Sequence, residues 1–464
     1  MTSRQGEVLG RSRIVLFTAF IAVHLWLALQ GTIQRSSTFH DVDLYRFWIG
    51  QGLHHGQWPV LDFPWVYPAG ALAPMLVTAV LDTHHTVTYA VLWSALVTIL
   101  DAIAVLVLIR RGNLRGAFWW LGFQALLGVI AMGRLDAIVA PIMVIALSLA
   151  FERPRLSAVL LTVGAWIKIA PGAVVVALAA AVRRPIRDVI VPAGAACAVI
   201  VGAVVAGGGG ANLFSFLSSQ GTRGLQVESV AATPWVLAAS GYRGIVIAFN
   251  SKIITFEVSG PGTAMTAALM DVALVLAFVA LAALIWRARR GGPHILLTAA
   301  LAALALQIVF NKVGSPQFIC WLAAPVVVAL SHGLASADRP ARPTRESWHS
   351  WRVLAILLLA VAGLTQWVYP LGYAGVLQAH LGMGLVLALR NVLVVVVLVM
   401  TVVGLVRAGR DHLPGGPGDE LADDAPAQAA DPPPARVFDD ALAQATDTPP
   451  TQAADALLGS QAVT

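Results

Sequence analysis

Apolar runs long enough to cross a bilayer recur along this 464-residue chain from Ile14 to Val406. A spanning helix needs about 20 apolar residues, and repeated runs of that length predict a polytopic membrane protein. Composition agrees: 58% of the residues are hydrophobic and 12% charged, against roughly 25% charged in a soluble domain. A cytoplasmic enzyme, a DNA-binding protein and a secreted disulfide scaffold are excluded on that ground, and no nucleic acid partner is expected. The two cysteines, Cys197 and Cys320, lie inside apolar runs, so no disulfide framework is indicated.

The candidate spans are 14–30, 86–109, 116–132, 135–151, 156–168, 169–182, 188–206, 264–286, 294–310, 317–333, 353–370 and 383–406. The first follows Arg4, Arg11 and Arg13 but has no small-residue cleavage site after it, so it reads as an uncleaved span. Twelve crossings with a cytoplasmic N-terminus put 21 of the 30 basic residues in inner segments and 8 in outer ones; Arg390 lies within the last span. That bias fits the positive-inside rule and predicts both termini in the cytoplasm. Arginine outnumbers lysine 27 to 3, a skew that suggests a GC-rich bacterial genome. The expected organisation is a cytoplasmic N-terminus over 1–13, a transmembrane domain over 14–406, and an acidic tail over 407–464. Residues 411–464 lack apolar periodicity and are predicted to be disordered.

Two stretches depart from plain spans. The run 156–182 lies between basic inner clusters and is interrupted by Lys168 and Pro171, which predicts two short or broken helices or a re-entrant segment. The stretch 69–81 is too short to cross and reads as re-entrant or interfacial. Two long outer loops, 31–85 with that stretch included and 207–263, leave room for function. No repeat at a fixed period is evident.

Ionisable residues at or in the hydrocarbon are costly, so each is a functional candidate. The expected outer side holds five such clusters: His40–Arg46, Gly133–Asp136, Trp166–Pro171, Arg223–Ser229 and Asn311–Gln317. All three lysines fall on that side, against the positive-inside tendency, which predicts an anion held there. Plainer roles compete at each cluster. Asp41 could cap a helix over 42–53, with Asp43 complementing its dipole. On such a helix Asp41, Tyr45, Trp48 and Gly52 share one face and Asp43 points elsewhere. Arg134 could simply pair with Asp136, Lys168 could snorkel to the interface, and Lys312 could be solvated beside a Gly314-Ser315-Pro316 turn. Arg390 needs a partner or a polar cavity, and Asp101 and Asp271 are the acidic residues within spans.

Weaker signals add little. His54-His55 and His84-His85 are adjacent pairs, which do not converge on one metal as i, i+4 pairs do. Trp48, Trp58, Trp65 and Tyr67 read either as an interfacial belt or as a sugar-stacking platform. There is no Walker motif, dinucleotide fingerprint or zinc spacing. Neither a nucleotide cofactor nor a metal is expected, and an energised lipid-linked donor fits better.

The pattern Asp41-Val42-Asp43-Leu44-Tyr45 after the first span, followed by Val66-Tyr67-Pro68, resembles the first outer loop of the glycosyltransferase 87 family. That family includes the polyprenol-phosphate-mannose-dependent mannosyltransferases of actinobacteria. The segments Trp166–Pro171, Arg223–Ser229 and Lys312–Gln317 are similar to later family segments in the same order, so the resemblance spans about residues 14–405. It implies a GT-C fold, a multi-span helical bundle in the plasma membrane with its active site at the outer leaflet. It also implies a polyprenyl-phosphate sugar donor, a glycolipid or glycan acceptor, and inversion at the anomeric carbon. A carboxylate of the first outer loop would be general base. By position this is Asp41, but Asp43 is a second acidic residue and the choice between them stays open.

Glycosyl transfer passes through an oxocarbenium-like state in which the acceptor oxygen loses a proton, so a carboxylate is needed beside it. The departing phosphate carries charge, so cations belong on it, and Lys168, Lys312, Arg134 and Arg223 are the candidates. Tyr45, Trp48, Tyr67, Asp136, Glu228 and Gln317 are the remaining candidates for substrate contact. The sugar is most simply mannose, with arabinofuranose open, and the acceptor could be a phosphatidylinositol mannoside. A secondary transporter, which would use broken helices such as 156–182 at a mid-membrane site, is the rival reading. A lipid-linked glycan flippase or ligase is another.

Overall fold

A computed structural model of the chain describes residues 3–33, 37–111, 114–221, 223–251, 253–289, 295–331 and 345–410. Among them the chain is largely helical. The helices are α1 Ser3–Thr32, α2 His40–His55, α3 Leu72–Ala79, α4 Thr86–Arg111, α5 Leu114–Leu127 and α6 Asp136–Leu149. Then come α7 Pro154–Ile167, α8 Ala170–Ala181, α9 Val191–Ala206, α10 Ser215–Gly221, α11 Thr233–Ala238 and α12 Thr263–Ala288. The last five are α13 Ile295–Val309, α14 Ile319–Ser331, α15 Arg345–Gln366, α16 Tyr373–Leu377 and α17 Leu381–Arg410. The predicted acidic tail over 411–464, Arg35 and Lys252 lie outside the described residues.

Seven helical segments are long and apolar enough to cross a membrane: Arg11–Thr32, Thr86–Arg111, Leu114–Ala131, Ile186–Ala206, Thr263–Ala288, Trp351–Leu371 and Leu381–Arg410. The other five expected spans are also helices, but short. The longest of these α-helices, α13, has 15 residues and rises about 22 Å at 1.5 Å per residue, less than a hydrocarbon core of about 30 Å. Of these, α6, α13 and α14 are the most enclosed part of the fold: almost every side chain is buried, which is what helices apolar on all sides require. The long α9 and α12, by contrast, leave most of their apolar surface exposed. The short α6, α13 and α14 therefore lie inside the bundle, with α9 and α12 on its outside.

The run 156–182 is two helices with a break at Lys168. Lys168 takes an extended backbone (φ −151°, ψ 130°), and Pro171 then sits in the first turn of α8, where no N–H is needed. The stretch expected to be re-entrant or interfacial is the short helical segment Ala69–Ala79.

One expectation is corrected. The helix expected over 42–53 begins earlier, because the 3-10 turn Ser37–Phe39 runs directly into α2. Phe39 holds the N-cap position and no side chain caps the helix. Asp41 is therefore in the first turn and is not a cap, which frees its carboxylate for a partner elsewhere. A small sheet accompanies the helices. Strands β1 Leu225–Gln226, β2 Val246–Asn250 and β3 Thr255–Ser259 form an antiparallel sheet in the order β1-β3-β2. Val246 pairs with Ser259 and Asn250 with Thr255, while Leu225 pairs with Val258. The sheet lies within the long 207–263 connection, where β-branched residues such as Val246, Ile247 and Thr255 are free of the helical requirement of a span.

Candidate functional site

The five polar clusters, far apart in sequence, meet where the short inner helices end. Asp136 opens α6, Lys168 follows α7, Val309 closes α13 and the 3-10 turn Pro316–Phe318 leads into α14. Helix ends leave backbone groups unpaired, which is where polar side chains can be held in an otherwise apolar bundle.

Asp41 of α2 forms an ion pair with Arg134 Nη1. Arg134 Nη2 donates to the Tyr369 hydroxyl at 3.1 Å. Asp136 is committed separately: Trp321 Nε1 donates to its Oδ1 at 2.7 Å, and Lys168 Nζ stands 3.5 Å from its Oδ2. Lys168 also faces the rings of Tyr67 at 5.0 Å and Phe318 at 5.8 Å. So the local Arg134–Asp136 pairing considered from sequence does not form, and Lys168 does not snorkel. Both residues look inward because each has a partner brought by a different helix.

Tyr67 lies in an aromatic cluster with Tyr45, Trp48 and Trp65, at centroid distances of 5.4 to 6.3 Å. Leu135 N donates to the Tyr45 hydroxyl at 3.4 Å, which ties α2 to the start of α6. Tyr45 is fully enclosed, so it supports the site from beneath. Burial pushes the Tyr67 phenol up to about 12, which keeps it a neutral hydroxyl at ordinary pH. Arg223 lies near Tyr67 and Glu257; burial lowers its pKa and both neighbours oppose that. Among the described residues Arg223 has no ion pair, and the Nε atoms of both Arg223 and Arg134 are buried without a hydrogen-bond partner.

The segment 223–229 is docked from two sides. Gln226 N donates to the Lys312 carbonyl at 3.0 Å, and a Cβ at Gly314 would collide with the Glu228–Ser229 peptide. On the other side Arg390 of α17 bonds Glu228 Oε2 at 3.1 Å and the Glu228 carbonyl at 2.7 Å. Asn391 Nδ2 reaches Thr233 Oγ1 at 2.7 Å. Burial raises the Glu228 pKa, and Arg390 first and then Arg134 draw it back down.

Several expectations about partners are corrected here. Arg390 pairs with Glu228, not with Asp101 or Asp271. Asp101 instead receives His24 Nε2 at 3.1 Å, Trp120 Nε1 at 3.2 Å and Gln124 Nε2 at 2.6 Å. Asp271 holds Lys312 Nζ at 2.7 Å. Lys312 is thus neither solvated nor open to a ligand, since its ammonium is buried against Asp271 and the Gly221 carbonyl. Glu228 is likewise enclosed by its arginine and does not face a substrate. Asp43 stands apart on the opposite side of α2, bonded to Arg46 Nε at 2.8 Å and Thr86 Oγ1 at 3.0 Å. Trp48 is half-buried in the aromatic cluster, and Gln317 is half-buried in the turn before α14.

The cluster thus combines Asp41, Asp136 and Glu228 with Arg134, Lys168, Arg223 and Arg390, and Glu257 stands near Arg223. Asp136 and Glu228 are 1% and 4% exposed, whereas the Asp41 side chain is 30% exposed. Asp41 is therefore the carboxylate of the three that a ligand can reach. The charge of Arg223 is opposed by nearby Glu257, so the cations and carboxylates of the cluster balance. Sequence reasoning missed Tyr369, Tyr373, Phe318 and Trp321; the kink at Trp367–Leu371 and the Pro316 turn are the local signals that such aromatics are turned inward. No family model matches the chain, and no curated protein or solved structure matches it.

Proposed function

We propose that the protein is a membrane glycosyltransferase moving a sugar, most simply mannose, from a polyprenyl-phosphate donor to a lipid or glycan acceptor at the outer face of the plasma membrane. One observation carries this reading: a reachable carboxylate, Asp41, stands with the cations Arg134, Lys168 and Arg223 where the short helices of an apolar bundle end. Such a site suits a reaction that removes one proton and releases one phosphate.

In this reading Asp41 takes the proton from the acceptor hydroxyl as its oxygen forms a bond to the anomeric carbon. The anomeric carbon–oxygen bond to phosphate breaks on the opposite face, and its electron pair leaves on the polyprenyl phosphate. Arg134 holds Asp41 before substrate arrives, and an arginine paired to a carboxylate makes that carboxylate a poor base. Moving Arg134 toward the donor phosphate, whose oxygens its unpartnered Nε can also meet, frees Asp41 when the donor is present. Arg223 and Lys168 add positive charge where the leaving phosphate develops it. Asp136 keeps Lys168 in place, and the Tyr67 ring caps it. Lys312 has no part in this scheme. The family resemblance in the loop carrying Asp41 is consistent with it.

A transporter is the second reading, favoured by the helix break at Lys168 between α7 and α8. The test separates the two. Purified full-length protein in liposomes is supplied with polyprenyl-phosphate mannose labelled in the sugar and with a lipid extract as acceptor. The expected result is labelled glycolipid, with a loss of about 100-fold or more in Asp41→Asn at an unchanged melting temperature, as for removal of a general base. Full activity in Asp41→Asn and loss in Asp43→Asn would reassign the base. Uptake of a solute without any transfer would favour the transporter.

A further inference from the structure

We propose that the protein holds a second site, on the face of α2 turned away from Asp41, which binds the headgroup of a neutral, hydroxyl-rich lipid. Asp41 and Asp43 are two residues apart on one helix, so they project about 200° apart. Asp41 faces Arg134. Asp43 faces a half-open cavity of about 290 Å³ lined by Gly31, Thr32, Phe39, Asp43, Thr86 and Val87. That volume is near the lower end of about 300–1,000 Å³ for small-molecule sites, and it suits one ring-sized headgroup.

The lining determines the chemistry. Asp43 Oδ1 accepts from Arg46 Nε and Thr86 Oγ1, while no described residue donates to Oδ2. A ligand hydroxyl can supply that missing donor. The Thr86 and Thr32 hydroxyls retain lone pairs for further hydrogen bonds, and the imidazole of His40 adds a group able to donate or accept. The carboxylate disfavours an anionic headgroup. Arg46 already balances its charge at 2.8 Å, so an ammonium headgroup gains little. A neutral polyol satisfies these groups without bringing charge into the cavity.

The rest of the cavity lining is apolar, with Gly31, Phe39, Val87 and Ala90. The Phe39 ring packs against both Gly31 and Gly133 so closely that a Cβ at either would collide with it, and this wall separates the cavity from the Arg134 segment. Both helices that form the sides, α1 and α4, carry exposed apolar side chains within about one turn of the cavity: Leu29 and Ile33 on the first, Val87 and Val91 on the second. An acyl chain attached to a headgroup in the cavity would lie along these residues.

The inference shares only the bilayer with the proposed transfer reaction. Its test reads binding without turnover, so either can fail alone. Full-length protein in phosphatidylcholine nanodiscs is photolabelled with four lipids carrying a diazirine in the acyl chain. They are a monoglycosyl diacylglycerol, diacylglycerol, phosphatidylglycerol and phosphatidylcholine, and labelled peptides are mapped by mass spectrometry. The glycolipid is expected to label peptides within 29–47 and 86–91 about tenfold more than diacylglycerol, a difference of about 1.4 kcal/mol. Val87→Trp fills the mouth from a half-exposed position and should cut that labelling about fivefold, about 1 kcal/mol, with the elution profile unchanged. Thr86→Val, which removes one hydroxyl at nearly constant shape, should lower glycolipid labelling but not that of diacylglycerol. Equal labelling by the sugar-free lipid, stronger labelling by either charged headgroup, or no effect of Val87→Trp in a monodisperse protein would overturn the proposal.

Discussion

Arg390 sits in the middle of an apolar helix and is 3% exposed, so its charge depends on Glu228 and on the amide of Asn391. Removing one member of such a pair leaves the other charged and buried, at a cost of about 3–5 kcal/mol, whereas removing both together costs far less. Arg390→Met is therefore expected to lower the melting temperature strongly, and Arg390→Met with Glu228→Gln to recover much of the loss, read by thermal unfolding in detergent. Additive effects of the two substitutions would show that the pair is not coupled. The need for a partner was legible from the sequence, because an arginine flanked by Leu389 and Asn391 in an apolar run cannot stand alone. The partner was not. Asp101 and Asp271 lie in spans and looked eligible, but Asp101 already receives three N–H groups and Asp271 meets Lys312. Glu228 comes from a connection 162 residues away, and local periodicity carries no information about a contact at that separation. The same holds for Arg134: Asp136 is nearer in sequence, yet Asp41 and Tyr369 meet it.

At the scale of elements, the feature that makes the site is a break in a helix. Lys168 leaves the helical path between α7 and α8, and the polar end this creates is covered by the segment beginning at Pro68. Gly70 lies there against the last turn of α7. A Cβ at Gly70 would stand 2.8 Å from the Trp166 carbonyl oxygen and 3.0 Å from the Trp166 Cβ. Gly70→Val should therefore push 69–71 away from α7, and with it Tyr67, which faces Lys168 at 5.0 Å. The expected outcome is reduced transfer together with a raised KM for the donor, while Gly122→Ala, at an open position on α5, leaves both unchanged. Kinetics with varied donor checks this, and wild-type KM in a folded Gly70→Val protein would remove Tyr67 from the site. The twelve apolar runs and the break were readable because both depend on local composition and on Pro171. The sheet in 207–263 was not readable, since strands of two to five residues give too little alternation to stand out in a connection of mixed polarity.

Across the whole molecule, the formal charge of +6 divides into −9 over residues 411–464 and +15 over the preceding 410. Within those 410 the charge is polar in its placement. Helices α7 and α8 meet at Lys168, so their far ends, with Arg153 and Arg155 at the start of α7 and Arg183 and Arg184 after α8, lie together away from Lys168. Arg155 pairs there with Asp188 at 3.0 Å, and Arg111 of α4 with Glu152 at 2.7 Å. Arginines concentrated at one end are what the positive-inside rule places in the cytoplasm, and the Asp41–Lys168 cluster would then lie on the outer side. A Cys197→Ala, Cys320→Ala background allows a direct reading with single cysteines at exposed Gln57 and Arg184. A membrane-impermeant maleimide applied to intact cells should label Gln57→Cys at once and Arg184→Cys only after the membrane is opened. The opposite pattern would turn the Asp41 site toward the cytoplasm, where nucleotide-activated sugars rather than lipid-linked ones are at hand, and so would remove the reason for a polyprenyl-phosphate donor.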